Sequence, residues 1–366
     1  ALISPHGYPY VEVEAHVDFS DDRTRADITY NLDRGPYVEM GQVYLSGNFR
    51  TKDYIISREL EMETGEPFSL QKMLEGQQVI RNLDIFNSVK FRTIGLKEEA
   101  EDIELFVEVE EKKPYYVQFG LGYRTDIGIY ADAKAGDRNF LGRNKDLWFG
   151  GSVSETGYRL EGWLTEPRLL GSRVSTEVGV YTEKKEEFNQ DFGITTTGAS
   201  LGFNRKWSDL TGGLSFRYER RDQFGIDDLD DAEINLEEIE EDEFRPRHLV
   251  VATPSMSYDT RDSVIRPKTG FFTIASADIS KGLENDLDSF VKYQLDTRYY
   301  WTPEALSRLT LAMLVRVGVI DPFGDIEQVP DDQLFYLGGT TDIRGFDENM
   351  LLFDADDDPV GGKIAM

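Results

Sequence analysis

The chain has 366 residues, of which 39% are hydrophobic and 30% charged, with a formal net charge of -29 and no cysteine. That charge repels nucleic acid, which is held by clustered Lys and Arg, and the missing thiol excludes disulfides, cysteine catalysis and cysteine-held zinc. No run approaches the ~18 apolar residues of a membrane helix, which excludes helical spans and leaves open a transmembrane β-barrel, whose alternating strands stay low in hydropathy.

The plain reading of an acidic surface is solubility. The opening Ala1-Leu2-Ile3-Ser4-Pro5 lacks a basic and an apolar leader segment. The expectation is a protein that is not exported, or an internal piece of a longer chain. "GYPYVEVEAHVDF" and "TRADITYNLD" alternate as two strands joined by a polar turn at Ser20-Asp21-Asp22, and "EMGQVYLSG" is a third. "TKDYIISREL" and "SLQKMLEGQQVIRNL" have helical spacing, with Tyr54, Ile55 and Leu60 on one face of the first and Leu70, Leu74, Ile80 and Leu83 on a stripe of the second. Thr51 and Ser69 stand where N-caps belong. "FNSVKFRT" and "DIELFVEVEE" alternate again, so residues 39–113 read β-α-α-β-β, a complete α+β module. Residues 1–38 read as the tail of a second copy, an internal repeat.

From Pro114 helical periodicity stops. About eleven alternating segments follow before residue 321, each near the ~9–11 residues of a bilayer-crossing strand rather than the ~5–6 of a sandwich strand. "YYVQFGLGY" sets Tyr115, Val117, Phe119, Leu121 and Tyr123 against Gln118, Gly120 and Gly122. "FVKYQLDTRYYW" sets Val291, Tyr293, Leu295, Thr297, Tyr299 and Trp301 against Lys292, Gln294, Asp296 and Arg298. Tyr115, Tyr123, Trp148, Trp163, Tyr299 and Trp301 read as interfacial girdles. Short connections alternate with long ones, as in barrels with two unequal sides. The fold class is therefore α+β module(s) followed by an antiparallel transmembrane β-barrel, incomplete because "GGKIAM" opens a twelfth strand at the chain's end. A closed barrel has no free edge, so the chain is expected to be truncated at both ends.

The connection at about 321–361 is too long for a passive link. Gly338-Gly339 and Gly345 let it take tight backbone shapes. Arg344 inside it has two readings: a guanidinium paired with a carboxylate on the wall of a lumen, or a solvated side chain on an outer loop.

"GGTTDIRGF", "YDTRDSVIRPKTGFF" (258–272) and "DRNFLGRNKDL" (137–147) resemble the BamA/TamA-type outer-membrane assembly barrels. "VYLSGNFRTKDYIISRELEMETGEPFS" with "NLDIFNSVKF" resembles a POTRA domain, the periplasmic module of that family. The resemblance implies the C-terminal part of one POTRA at 1–38, a complete one at 39–113, and the N-terminal two thirds of a barrel at 114–366. It implies that Arg344, Gly345 and Phe346 tether the loop inside the lumen, with the acidic partner expected beyond Met366. It places Asp259, Arg261, Asp262 and Gly270 in a periplasmic turn whose role is structural rather than a partner contact. It makes Tyr115, Phe119, Gly120 and Gly122 part of a seam strand that opens sideways and pairs with incoming chains, with "FNSVKFRT" a second such edge.

The implied function is insertion of β-barrel proteins into the Gram-negative outer membrane without a cofactor. Its partners would be unfolded outer-membrane β-proteins, periplasmic chaperones or accessory lipoproteins, and outer-membrane lipid; nucleic acid is not among them. A two-partner secretion pore exporting a dedicated substrate is the alternative. An outer-membrane esterase or protease would need catalytic residues outside this sequence. The run "DDLDDAEINLEEIEEDEF" reads as a solvated loop, and "DADDDPVGG" (354–362) lacks the spacing of an EF-hand calcium loop. His6, His16 and His248 are scattered and carry neither a metal site nor a catalytic role, and no nucleotide or hydrolase motif is present.

Overall fold

The computed structural model describes residues 6–20, 23–125, 127–186, 193–224, 245–284, 287–325, 328–339, 343–355 and 359–366. The run "DDLDDAEINLEEIEEDEF", Asp21-Asp22 and the middle of "DADDDPVGG" lie outside these residues. The chain divides into two units, Ala1–Tyr116 with Asp137–Lys145, and Val117–Gly136 with Asp146–Met366.

In the first unit, β1 (Glu12–Phe19) and β2 (Ala26–Asp33) form a separate antiparallel pair with every residue exposed. β3 (Glu39–Ser46), α1 (Asp53–Leu60), α2 (Leu70–Arg81), β4 (Phe86–Ile94) and β5 (Asp102–Glu111) follow, with sheet order β3-β5-β4. β5 runs parallel to β3 and antiparallel to β4. As the central strand it buries Ile103, Leu105 and Val107 completely, which is why this segment alternates so cleanly with glutamates on its other face.

The helices exist where the spacing placed them, but the buried stripes differ. Ile55, Ile56 and Leu60 are buried in α1, whereas Tyr54 is 50% exposed. In α2 the buried face is Met73, Gly76 and Ile80; Leu70 and Leu74 are exposed. Gly76 decides the orientation, because a Cβ there would stand 3.3 Å from the Leu60 carbonyl oxygen. The two helices cross closely at that point. Ser69 caps α2 by accepting from the Lys72 N–H at 3.2 Å. Thr51 does not cap α1, whose N-cap is Lys52. Its hydroxyl accepts instead from Asn139 Nδ2 at 2.8 Å, and its N–H donates to Glu111 Oε1 at 2.6 Å. Thr51 is thus committed to the turn Asp137–Lys145, on which Arg50 also closes, through Asp137 Oδ2 at 2.5 Å.

The second unit is built on β6 (Tyr115–Arg124), β7 (Gly128–Asp137), β8 (Asp146–Ser154), β9 (Gly157–Glu166), β10 (Val174–Glu186), β11 (Gly193–Trp207), β12 (Leu210–Phe224), β13 (Arg247–Asp259), β14 (Gly270–Gly282), β15 (Phe290–Trp301), β16 (Leu311–Pro322) and the two-residue β17 (Ile364–Ala365). Each hydrogen-bonds to its sequence neighbour in one twelve-stranded antiparallel sheet, edged by β6 and β17. Eleven long strands precede the loop and a twelfth begins after it, as the alternation requires.

Cross-strand register sorts the side chains onto two faces. Val315, Val317 and Val319 stand opposite Thr297, Leu295 and Tyr293, whereas Arg316 stands opposite Asp296. One face is therefore apolar and the other charged. The polar face is made compact by pairing large rings with glycines on the next strand: Tyr181 lies over Gly198, and Trp163 over Gly179. This placement corrects the girdle reading for two residues. Trp148 and Trp163 stack on each other with ring centroids 6.4 Å apart, and Lys134 sits 3.5 Å above the Trp148 ring. They belong to the polar face, because their parity matches Glu161 and not Leu160.

Candidate functional site

The polar face carries a ladder of charges that strand alternation alone brings together. Arg159 bridges Glu161 and Glu183 at 3.1 and 2.9 Å. Tyr181 donates to Glu219 at 2.6 Å across Gly198, and Glu219 accepts from Arg221 at 2.7 Å. Arg217 approaches Asp278 at 3.4 Å, and Asp296 takes Arg298 and Arg316 at 3.0 and 2.9 Å. Such a surface belongs in contact with water or with polar chain, never with hydrocarbon.

The long connection after β16 lies against this wall through its first limb. Phe335 is seated on Gly318, where a Cβ would come within 2.3 Å of the ring, and Lys292 stands 4.3 Å over the ring centroid. Val329 is buried with Phe290 and Ile320, and Leu334 packs against them. Phe335 and Gly362 exchange backbone hydrogen bonds at 3.0 and 2.9 Å, so the two limbs of the loop are paired at its base. Asp332 is the charged centre: Oδ2 accepts from Arg221 at 2.5 Å and Oδ1 from Arg247 at 2.7 Å. Arg247 also donates to Asp288 at 3.0 Å. Burial alone would push the Asp332 carboxyl up, but the guanidiniums of Arg247 and Arg221 outweigh it and hold it below the ordinary aspartate value. Asp288 goes the other way, raised chiefly by burial despite Arg247.

Arg344, Gly345 and Phe346 form a tight turn further along the same loop. Gly345 has φ +105°, a region closed to most side chains, and Arg344 is exposed with no ion pair among the described residues. What reaches the wall here is Asp332. Sequence reasoning passed over it because loops have no period to count. The one available signal was Arg217, Glu219 and Arg221 at spacing two, which puts an excess of cations on the polar face of β12.

The β13–β14 turn brings its predicted residues together. Asp259 accepts from the Arg261 backbone at 3.1 Å and from its Nε and Nη2 at 2.8 and 2.7 Å. Asp262 Oδ1 accepts from the N–H groups of Lys268 and Thr269 at 2.8 and 3.2 Å, and these two bonds hold its carboxyl below the usual range. Gly270 closes the turn at φ +98°, where a Cβ would stand 2.3 Å from the Thr260 oxygen.

β6 is an edge of the sheet. Tyr115, Val117, Phe119, Leu121 and Tyr123 are 61–82% exposed on its apolar face. On its polar face Gly120 and Gly122 make room for the side chains of Asp132 and Tyr130, which a Cβ would approach to 2.1 and 2.6 Å. In the first unit β4 is likewise an edge, along which the Gln77 side chain donates to the Val89 carbonyl at 3.0 Å. Among the described residues no cluster of metal-ligating side chains occurs.

Residues 139–366 match the model of the Omp85 superfamily domain, and residues 38–112 match the POTRA model, a surface antigen variable number repeat. The outer membrane protein assembly factor BamA of Nitratidesulfovibrio vulgaris is 24% identical over 342 residues, covering 93% of this chain and 42% of its own length. The chain thus spans less than half of that relative. Among solved structures, BamA from Haemophilus ducreyi lacking POTRA domains 1–3 superposes with a TM-score of 0.78 at 17% identity, over 99% of this chain and 72% of that one. CdiB from Acinetobacter baumannii shares the fold with a TM-score of 0.51 at 14% identity, over 94% of this chain and 62% of that one.

Proposed function

The chain belongs to the Omp85 superfamily, and from that premise we propose that it takes part in the assembly and insertion of β-barrel proteins in the bacterial outer membrane. It is an outer-membrane protein whose POTRA module lies in the periplasm. The observation that carries the reading is β6, the first strand of the sheet, with an apolar face toward lipid and two glycines on the other. Unpaired N–H and C=O groups in hydrocarbon each cost several kcal/mol, roughly, so a first strand that parts from its partner lowers the barrier for an incoming strand. Glycine weakens whatever partner strand β6 already has, and so favours exchange. β4 offers the same backbone chemistry to an unfolded barrel chain in the periplasm. Chaperones and accessory lipoproteins are the partners that such a module would receive chains from, and Arg344 would hold the loop within the lumen.

The test is a photo-reactive side chain at Phe119 in the full-length protein, with Leu214 on the interior strand β12 as control. Adducts with several unrelated nascent barrels at position 119, absent at 214, support the reading. Adducts with one exported substrate only, together with steady ion conductance in planar bilayers, would replace it with the secretion pore.

A further inference from the structure

The strand pairing of β12 and β13 contains a conflict. Arg221 and Arg247 are direct cross-strand partners, so two guanidiniums face each other at one end of the polar wall. Like charges directly opposite on a sheet repel, and these two are largely out of water, at 16% and 4% side-chain exposure. Neither strand supplies enough negative charge to satisfy both. Glu219 on β12 turns to Arg221, Arg217 and Tyr181. Among the described residues Asp288, between β14 and β15, pairs only with Arg247. The missing anion arrives from the long loop. Asp332, with its side chain 2% exposed, gives one oxygen to each arginine. Gln333 supports it from both ends: its side-chain amide donates to Asp332 Oδ2 at 2.6 Å, and its carbonyl accepts from Lys292 at 2.8 Å.

We infer that Asp332 is a second anchor of the loop, a positioning residue that fixes the first limb to β12 and β13 independently of Arg344. The inference stands apart from the assembly reading, since it holds for any activity the wall serves. Its geometry has two consequences. The limb from Val329 to Phe335 is immobile on the wall whatever the Arg344 turn does. The Arg344 turn, some way further on, is free to engage or release a carboxylate without dislodging that limb. The first limb is thus held by a point built into this wall, whatever partner the Arg344 turn takes.

A single introduced thiol reports the first point, because these residues contain no natural cysteine. Val329→Cys places that thiol in a site 6% exposed. Full-length protein in detergent, with any cysteine elsewhere replaced, is treated with a membrane-impermeant maleimide, and folding is verified by the fast-migrating unboiled band. Labelling is expected to be slow in the Val329→Cys parent and to rise by about tenfold or more when Asp332→Ala frees the limb. Asp332→Glu, which keeps the charge, restores protection. Arg344→Ala leaves the thiol at position 329 protected. If Asp332→Ala yields no folded band, the double variant Arg221→Gln/Asp332→Asn removes the opposed charges, folds, and still exposes the thiol. Two outcomes overturn the inference: labelling of folded Asp332 variants within about twofold of the parent, or equal exposure on Arg344→Ala alone, which would make Arg344 the sole anchor.

Discussion

Asp332 and Asp288 flank the same guanidinium with opposite electrostatic fates, and the difference is measurable. Removing one partner of a buried pair costs about 3–5 kcal/mol, and Asp332→Asn leaves Arg221 and Arg247 opposed. Asp288 contacts Arg247 only, and Asp288→Asn leaves Asp332 in place between both guanidiniums. Heat-modifiability midpoints at neutral pH are expected to fall markedly for the first variant and little for the second. The pH dependence has a definite sign. The Asp332 carboxyl lies below its unfolded value, so its stabilisation is present above that value, near ~3.9, and disappears as pH falls through the folded one. Asp288, being raised, stabilises the fold below its unfolded value and loses that contribution as pH rises through the folded one. The parent should therefore lose more stability than Asp332→Asn on acidification toward about pH 3. Residues of the wall such as Arg298 and Asp296 were legible because strands count by two. Asp332 was not, since nothing in a loop's sequence says which side chain will meet a wall strand laid down so much earlier in the chain.

At the scale of single elements, existence was easier to read than orientation. Both helices of the POTRA module fall where the spacing put them, yet the buried stripes moved because the closest approach is set by Gly76 against Leu60, and a propensity count gives glycine no packing role. Ser69 caps α2, as its residue type and place predict; Ser69→Ala is expected to cost about 1 kcal/mol, read as a lower urea midpoint of the helical circular-dichroism signal. Thr51 had the right residue type in the right place, but a tertiary partner, Asn139, took its hydroxyl. In the barrel sheet, Gly120→Val would drive a side chain into Asp132. It should loosen β6 from β7 and lower the photo-adduct yield at position 119, while Gly345→Ala, with open space around it, should disturb only the backbone turn.

For the whole molecule, alternation over 114–366 gave the sheet, its strand count and its two chemically distinct faces, all of which depend on one period summed over many strands. What it did not give is which aromatics face lipid. Residue type alone points Trp148 and Trp163 to a girdle, whereas their strand parity sends them to the polar side. The sheet is also a sequence of events. β12 and β13 are neighbours in the chain, but the carboxylate that makes their pairing comfortable comes 111 residues after Arg221 and 85 after Arg247. Chain emerging in order would offer this hairpin long before its counter-charge, and contacts of high sequence separation form slowly. The arginine end, although it lies next to the connection, should therefore stay frayed until the loop folds down. Completion of the middle of the sheet waits on a late arrival, which gives an unfinished chain a built-in mark that it is unfinished.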